Sequence, residues 1–316
     1  VVPICISFVW SKIVSGELKA LSAIVLKSVF NSDDVWCDSV VHVDGLHVNA
    51  WEEILQGYDT IRDGQSVDNI VVQGLPGAGK THLLGQLRRK VVGDGDFFVY
   101  FQLNSADQIW QGLVLAYVDS MLRPVTTDET QSSQLFSSLA GKLSNGAVKK
   151  IRSLLDGSAN DRQIARDIRQ ELGRLFGPQV QAREAADVAL ALLLNASANY
   201  TLQNIGYAYL ISADATLEDN QDRQSVGLVN SKMQPRQLVR AMDRIVATAG
   251  KVTVLAIDQL DGLIAAACHA HDTEGEDAAL LDQIATALMD MSELTSRTLI
   301  VVSSLVATWK KIEGAI

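Results

Sequence analysis

Residues 70–84 read IVVQGLPGAGKTHLL, and this stretch constrains the fold more than any other part of the chain. It satisfies the pattern G-x-x-x-x-G-K-[ST] at Gly74, Gly79, Lys80 and Thr81. Glycines let the backbone turn with its N–H groups pointing inward, and a helix that begins there adds the positive end of its dipole. The pattern therefore predicts a strand, a loop that cradles nucleotide phosphates, and a helix.

The flanks of this loop support the same interpretation. Residues 69–73 are mostly apolar and β-branched, and residues 81–89 are compatible with a helix, whereas a chance glycine-rich connector needs neither. In such a loop Lys80 reaches the terminal phosphates and the Thr81 hydroxyl is a ligand of Mg²⁺. The residues predicted to contact the nucleotide are Gly74, Leu75, Pro76, Gly77, Ala78, Gly79, Lys80, Thr81 and His82.

A second stretch, KVTVLAIDQLDGLI at 251–264, contains an apolar run that ends in Asp258. A carboxylate at the C-terminal end of a buried parallel strand lies where open α/β sheets bind their ligands. Together with the phosphate loop, this placement predicts that Asp258 holds Mg²⁺, directly or through water. The alternative is that Asp258 only caps the next helix, a common role for aspartate.

Apolar strand-like runs alternate with segments of helical periodicity, which predicts an α/β protein with a doubly wound parallel sheet. The predicted strands are 70–73, 97–103, 252–258 and 298–304, and the predicted helices of the core include 235–249 and 278–294. We expect a helical or irregular segment over 1–40, and a nucleotide-binding core over 41–103 and 250–316. Far more residues separate the second and third strands than a single crossover needs, so 104–249 is predicted to be a mainly helical insertion.

Within the insertion, residues 161–176 and 185–198 are predicted to be helices, and the polar stretch 216–224 is predicted to be a loop. Arginines are spread over the polar faces of the first of these helices, at Arg162, Arg166, Arg169 and Arg174. One hypothesis makes one of them a finger that reaches the γ-phosphate of a neighbouring subunit, and the other makes them an ordinary solvated face.

Composition excludes some classes of function. The formal net charge is −10, with 27 Lys+Arg against 37 Asp+Glu, so nucleic acid is expected to contact the protein only indirectly or through regions outside this sequence. Neither VVPICISFVW nor residues 18–30 could span a bilayer, and three widely spaced cysteines are typical of a reducing, cytoplasmic compartment. The run CHAHD at 268–272 lacks the ligand spacing of zinc sites, and the acidic run at 272–277 is predicted to be a solvated turn.

Four segments, GLPGAGKTHLL, FFVYFQL, VTVLAIDQLDGL and TLIVVSS, resemble motifs of the additional-strand class of P-loop ATPases, which contains the AAA+ proteins and the STAND switch ATPases. The chain looks most similar to large bacterial ATP-binding proteins, several of which are suspected of roles in antiviral defence. The resemblance implies ATP and Mg²⁺ as ligands, and a homo-oligomer or other protein subunits as partners. It also implies a sensor near the γ-phosphate at Ser303 or Ser304, and adenine contacts from Gly45, Leu46 and His47.

The chain departs from this family in the residue that follows Asp258. AAA+ proteins usually have a glutamate there as general base, whereas this chain has Gln259, which can orient water but cannot accept its proton. Asp261 matches the second acid of NACHT-like ATPases. The chain is therefore either a slow ATPase, with Asp261 and Gln259 assisting hydrolysis, or an ATP-binding scaffold whose nucleotide locks an oligomer or a docking surface.

A second departure lies after the fourth strand. Only residues 305–316 follow it, whereas modules of this class continue with a further strand and a helical lid. We therefore expect the sequence to be a piece of a longer protein, with an ATPase core that is incomplete at its C-terminal end.

Overall fold

A parallel β-sheet lies at the centre of the protein. The structure is a computed structural model that describes residues 35–37, 47–103, 105, 108–158, 162–212, 216–228, 233–264 and 274–314. In the described residues the sheet has four strands: β1 (Ile70–Gln73), β2 (Phe97–Gln102), β3 (Thr253–Asp258) and β4 (Thr298–Ser304). All are parallel, in the order β1-β4-β3-β2. The prediction of an α/β protein with a parallel sheet is confirmed.

The strand order brings the chemically interesting residues together. Because β4 lies between β1 and β3, Val72 of β1 pairs with Ser303, while Gln102 of β2 pairs with Asp258. All four strands run in the same direction, so their C-terminal ends meet at one edge of the sheet. This edge is where parallel sheets bind ligands.

One face of the sheet is covered by α1 (Val48–Arg62) and α2 (Lys80–Gly93). Successive side chains of a strand point to opposite faces, so alternate residues of each strand belong to this core. Its buried members from the sheet are Val72, Phe98, Tyr100, Val252, Val254, Ala256, Leu299 and Val301, and those from the two helices include Ile54, Tyr58, Leu84, Leu87 and Val91.

The opposite face packs against the long segment between β2 and β3. This segment contains α3 (Ile109–Leu122), α4 (Gln131–Ala140), α5 (Asn145–Leu155), α6 (Arg162–Phe176), α7 (Val180–Asn195), α8 (Tyr200–Leu210), α9 (Leu217–Ser225) and α10 (Pro235–Ala249). Two further helices are α11 (Glu274–Leu294), between β3 and β4, and α12 (Val306–Glu313), after β4. Buried residues of the predicted insertion and of this sheet face form one continuous core, so the insertion lies directly on the sheet.

Two predictions about polar segments were wrong. The stretch 216–224, expected to be a loop, is mostly helix α9, because Thr216 and Asp219 form a capping box that starts it. The Asp219 N–H donates to Thr216 Oγ1 at 3.2 Å, and the Thr216 N–H donates to Asp219 Oδ2 at 2.8 Å. Similarly, α11 begins at Glu274, so most of the acidic run expected to be a turn is helical.

Some expectations fall outside the described residues, namely those for residues 1–34 and 38–40 of the predicted N-terminal segment, for Gly45 and Leu46, and for the CHAHD run at 268–272. Within the described part of the chain, no helix is both long and apolar enough to cross a bilayer.

The outer edge of β2 is covered by side chains from the insertion. Gln131, which is 2% exposed, accepts from the Phe98 N–H at 2.8 Å and donates to the Phe98 carbonyl at 3.0 Å. Ser120 Oγ accepts from the Tyr100 N–H at 3.4 Å. The Gln131 amide thus takes the place of a neighbouring strand for Phe98, and buried backbone groups at this edge keep their partners.

We expect Gln131→Leu to lower the free energy of unfolding by about 2–4 kcal/mol, because it leaves two buried backbone groups of Phe98 unpaired. Urea denaturation measures the loss, and hydrogen exchange should show faster exchange of the Phe98 amide. The control is Gln134→Leu, at a half-buried position on the same helix. Equal effects of the two substitutions would contradict the role given to Gln131.

Candidate functional site

The loop after β1 leads directly into the N-terminus of α2. Gly77 and Gly79 have positive φ angles of 75° and 87°, a region that glycine adopts without strain. Gly79 is the N-cap of α2 and, as a glycine, has no side chain with which to cap this end. The first hydrogen bond within the helix runs from the Leu83 N–H to the Gly79 carbonyl at 3.0 Å. The N–H groups that come before it in the first turn have no acceptor within the helix. Such groups favour a negatively charged ligand.

The Lys80 side chain folds back over the start of the same loop. Its Nζ donates to the carbonyl oxygens of Gly74 at 3.1 Å and Leu75 at 3.3 Å. The ammonium group therefore lies beside the first residues of the loop.

Asp258 lies at the end of β3 and is 4% exposed. Its Oδ2 accepts from Thr81 Oγ1 at 3.0 Å and from the Tyr100 hydroxyl at 2.9 Å. Its Oδ1 accepts from the hydroxyl of Ser303 and from the Gln259 N–H, the latter at 2.9 Å. Four hydrogen bonds from four different segments thus compensate this buried carboxylate.

Strand periodicity explains why these side chains meet. Asp258 continues the row of Val254 and Ala256, which face α2, and Ser303 continues the row of Val301 on β4. Tyr100 belongs to the same face on β2. Because α2 covers this face and begins at Lys80, the side chain of its second residue, Thr81, reaches the same point.

Ser304 and Asp261 lie apart from this cluster. As the next residue after Ser303, Ser304 points to the face covered by the insertion. The Ser304 Oγ donates to Asp261 Oδ1 at 3.3 Å. Asp261 Oδ1 also accepts from the Leu305 N–H at 2.8 Å. Of the two serines expected near a γ-phosphate, the structure brings Ser303 to Asp258 and Ser304 to Asp261.

Gln259 has an unusual backbone conformation. Its φ of 65° is in the left-handed region, which costs a residue with a side chain about 1–2 kcal/mol. This conformation aims its N–H at Asp258 Oδ1, while its side chain is exposed beside the cluster. Residue 259 is therefore positioned by its backbone, and its side chain remains accessible.

His47 lies next to the glycine-rich loop that follows β1. It precedes α1 and has a φ of 61°. A Cβ atom added to Gly79 would lie 3.2 Å from His47 Nε2, so the imidazole is in contact range of the loop. Of the three residues expected to contact adenine, this is the one that the structure describes. His82 is half-buried in the first turn of α2.

Tyr100 is a member of the site that sequence analysis did not identify. Burial raises the pKa of its hydroxyl well above the usual range, and the charge of Asp258 and the hydrogen bond to it raise it further. The phenol therefore remains a protonated donor at neutral pH. A tyrosine in the middle of an apolar strand was visible in the sequence, but only the strand order shows that β2 adjoins β3.

Thr81 and Asp258 fit the needs of Mg²⁺. Among the described residues, no group of three or more His, Cys, Asp or Glu side chains could hold a metal ion alone. Mg²⁺ commonly binds to one or two protein oxygens and takes its other ligands from phosphates and water. A hydroxyl and a carboxylate beside the glycine-rich loop are oxygen groups of the kind that Mg²⁺ binds.

Comparisons with protein-family models, curated proteins and solved structures give no match to this chain. The resemblance to additional-strand ATPases therefore rests on the sequence motifs. The contacts of Thr81, Tyr100 and Ser303 with Asp258 are a separate, structural observation.

We expect Gly77→Ala to lower the free energy of unfolding by about 1 kcal/mol, because alanine is strained at a φ of 75°. No atom lies within 4 Å of the added Cβ, so this variant isolates backbone strain. Gly93→Ala in α2 also has open space and should instead raise stability by about 0.5–1 kcal/mol, through helix propensity. Urea denaturation measures both changes, and the same sign for the two would contradict the loop geometry.

Proposed function

We propose that the chain binds Mg²⁺·ATP at the C-terminal edge of its sheet. The observation that carries the proposal is the 3.0 Å contact between Thr81 and Asp258, which are 177 residues apart in sequence. Two sequence motifs that together predict a phosphate loop and a metal-holding acid meet in the folded chain. A chance glycine-rich turn has no reason to begin a helix whose second residue contacts this carboxylate.

Each residue has a defined part in this proposal. Backbone N–H groups of the loop and of the first turn of α2 receive the phosphates. Lys80 exchanges the carbonyls of Gly74 and Leu75 for the terminal phosphate oxygens, which form stronger, charge-assisted hydrogen bonds. Thr81 supplies a hydroxyl ligand to Mg²⁺, and Asp258 supports the metal from the end of β3. A bound Mg²⁺ would neutralise negative charge on the phosphates.

The order of the strands supports an additional-strand ATPase. This class takes its name from a strand inserted between the strand that precedes the phosphate loop and the strand that carries the acid. Here β4 lies between β1 and β3 and carries Ser303, whose hydroxyl contacts Asp258. This position makes Ser303, rather than Ser304, the better candidate for a sensor of the γ-phosphate.

We further propose that the chain hydrolyses ATP slowly and acts as a conformational switch or motor in a multi-subunit bacterial complex. Gln259 is the accessible polar side chain beside Asp258, so it is the better placed group to orient the attacking water. Asp261 is engaged by Leu305 and Ser304. The family resemblance extends the proposal to oligomeric or heteromeric assembly, with antiviral defence as its setting.

The second candidate is a scaffold in which bound ATP locks an oligomer or a docking surface. It is favoured by the absence of a glutamate after Asp258, since glutamine cannot accept the proton of the attacking water. Measurement of hydrolysis separates the two candidates.

Lys80→Ala should weaken ATP binding about 10- to 150-fold, which corresponds to loss of a charged hydrogen bond of roughly 1.5–3 kcal/mol. Equilibrium binding of labelled ATP, with and without Mg²⁺, measures the change. Lys90→Ala is the matched control, because Lys90 lies on the same helix and pairs with Asp94 at 2.7 Å. Unchanged affinity in Lys80→Ala would refute the phosphate-loop assignment.

Single-turnover release of phosphate, with protein in excess over labelled Mg²⁺·ATP, tests the role of Gln259. We expect slow release by the wild type, release at least about 10-fold faster in Gln259→Glu because a carboxylate can act as general base, and slower release in Gln259→Ala. Identical rates in all three would exclude Gln259 from the reaction. Retention of ATP without release by the wild type would favour the scaffold.

A further inference from the structure

We propose that Tyr100 is a positioning residue that holds the carboxylate of Asp258 in the orientation needed to support the metal. The inference rests on the proposed binding of Mg²⁺·ATP, and it assigns a function to a residue outside the phosphate loop and outside the acidic motif.

Tyr100 is one of two hydrogen-bond donors to Asp258 Oδ2. A carboxylate plane can turn about a broad torsion, so its orientation is fixed only when both oxygens have partners. Oδ1 is held by Ser303 and by the Gln259 N–H, whereas Oδ2 is held by Thr81 and Tyr100. Thr81 is itself the proposed metal ligand. Tyr100 is therefore the partner of Oδ2 that can stay in place when Thr81 adjusts to a metal ion.

The Tyr100 hydroxyl is a hydrogen-bond donor held in a fixed position. Its side chain is buried, with 7% of the residue exposed, and its hydroxyl lies 2.9 Å from Asp258 Oδ2. Gln102 Nε2 donates to the oxygen of the same hydroxyl at 3.5 Å. The hydroxyl's own proton is therefore directed to Asp258.

The insertion fixes the strand that carries Tyr100. Ser120 of α3 accepts from the Tyr100 N–H, and Gln131 of α4 binds both backbone groups of Phe98. The position of the Tyr100 hydroxyl is thus set by β3 on one side and by two insertion helices on the other. A displacement of these helices would therefore shift the Tyr100 hydroxyl relative to Asp258.

The test is Tyr100→Phe, which removes the hydroxyl and keeps the buried ring. Binding of labelled ATP is measured in EDTA and then across a titration with Mg²⁺. We expect the Mg²⁺ concentration for half-maximal enhancement to rise at least about 10-fold, the size of effect typical for residues that orient metal ligands. Affinity in EDTA should stay within about twofold of the wild type, since the phosphate contacts remain.

Tyr117→Phe is the matched control. Tyr117 is also fully buried, but it lies on α3 in the core on the opposite face of the sheet. It should leave the Mg²⁺ dependence unchanged. The same Tyr100→Phe substitution in an Asp258→Asn background should have little further effect, because a residue that acts through Asp258 has nothing left to position.

The possible results separate the two claims. If the wild type does not bind ATP, the proposed function fails and this inference fails with it. If the wild type binds Mg²⁺·ATP and Tyr100→Phe has the same Mg²⁺ dependence, the inference alone is overturned. An equal loss of affinity in EDTA and in Mg²⁺, or an undiminished effect in the Asp258→Asn background, would also overturn it, because each indicates a structural role.

Discussion

A carboxylate withdrawn from water must be compensated by hydrogen bonds, and the candidate site is organised around this need at Asp258. Its four donors come from β4, from the start of α2, from β2 and from the turn after β3. A buried charge that loses a partner costs far more than an exposed one. The same hydrogen bonds therefore tie together segments that are distant in sequence and define the geometry of the sheet edge.

The long segment between β2 and β3 is part of this arrangement. Its helices share a continuous core with one face of the sheet, and residues of α11 and α12 belong to the same core. They also satisfy the outer edge of β2, where the amide of Gln131 pairs with the backbone of Phe98. An unpaired edge strand would invite pairing with another chain, so a buried side-chain amide is a stabilising substitute. Strand β2, and with it Tyr100, is consequently positioned from both sides.

The sequence predicted the strands, the glycine-rich loop and the buried acid, because each has a strong local pattern. It could not predict that Tyr100 contacts Asp258, since pairing order between strands is a tertiary property that periodicity does not contain. It also left Ser303 and Ser304 as alternatives. The observed strand bounds separate them, because alternate residues point to opposite faces. Helix α9 was missed because its polar composition concealed the capping box of Thr216 and Asp219.

The proposed nucleotide site already has internal partners for its charged groups. Lys80 binds two loop carbonyls, and Asp258 receives three hydroxyl donors and one backbone N–H. Binding of a phosphate and a metal would therefore exchange hydrogen bonds rather than supply missing ones, so the net affinity is a difference between two sets of contacts. That exchange would alter the contacts of α2, β3 and β4 together. A ligand that acts on several elements at once, with different contacts in two states, has the physical means to drive a conformational switch.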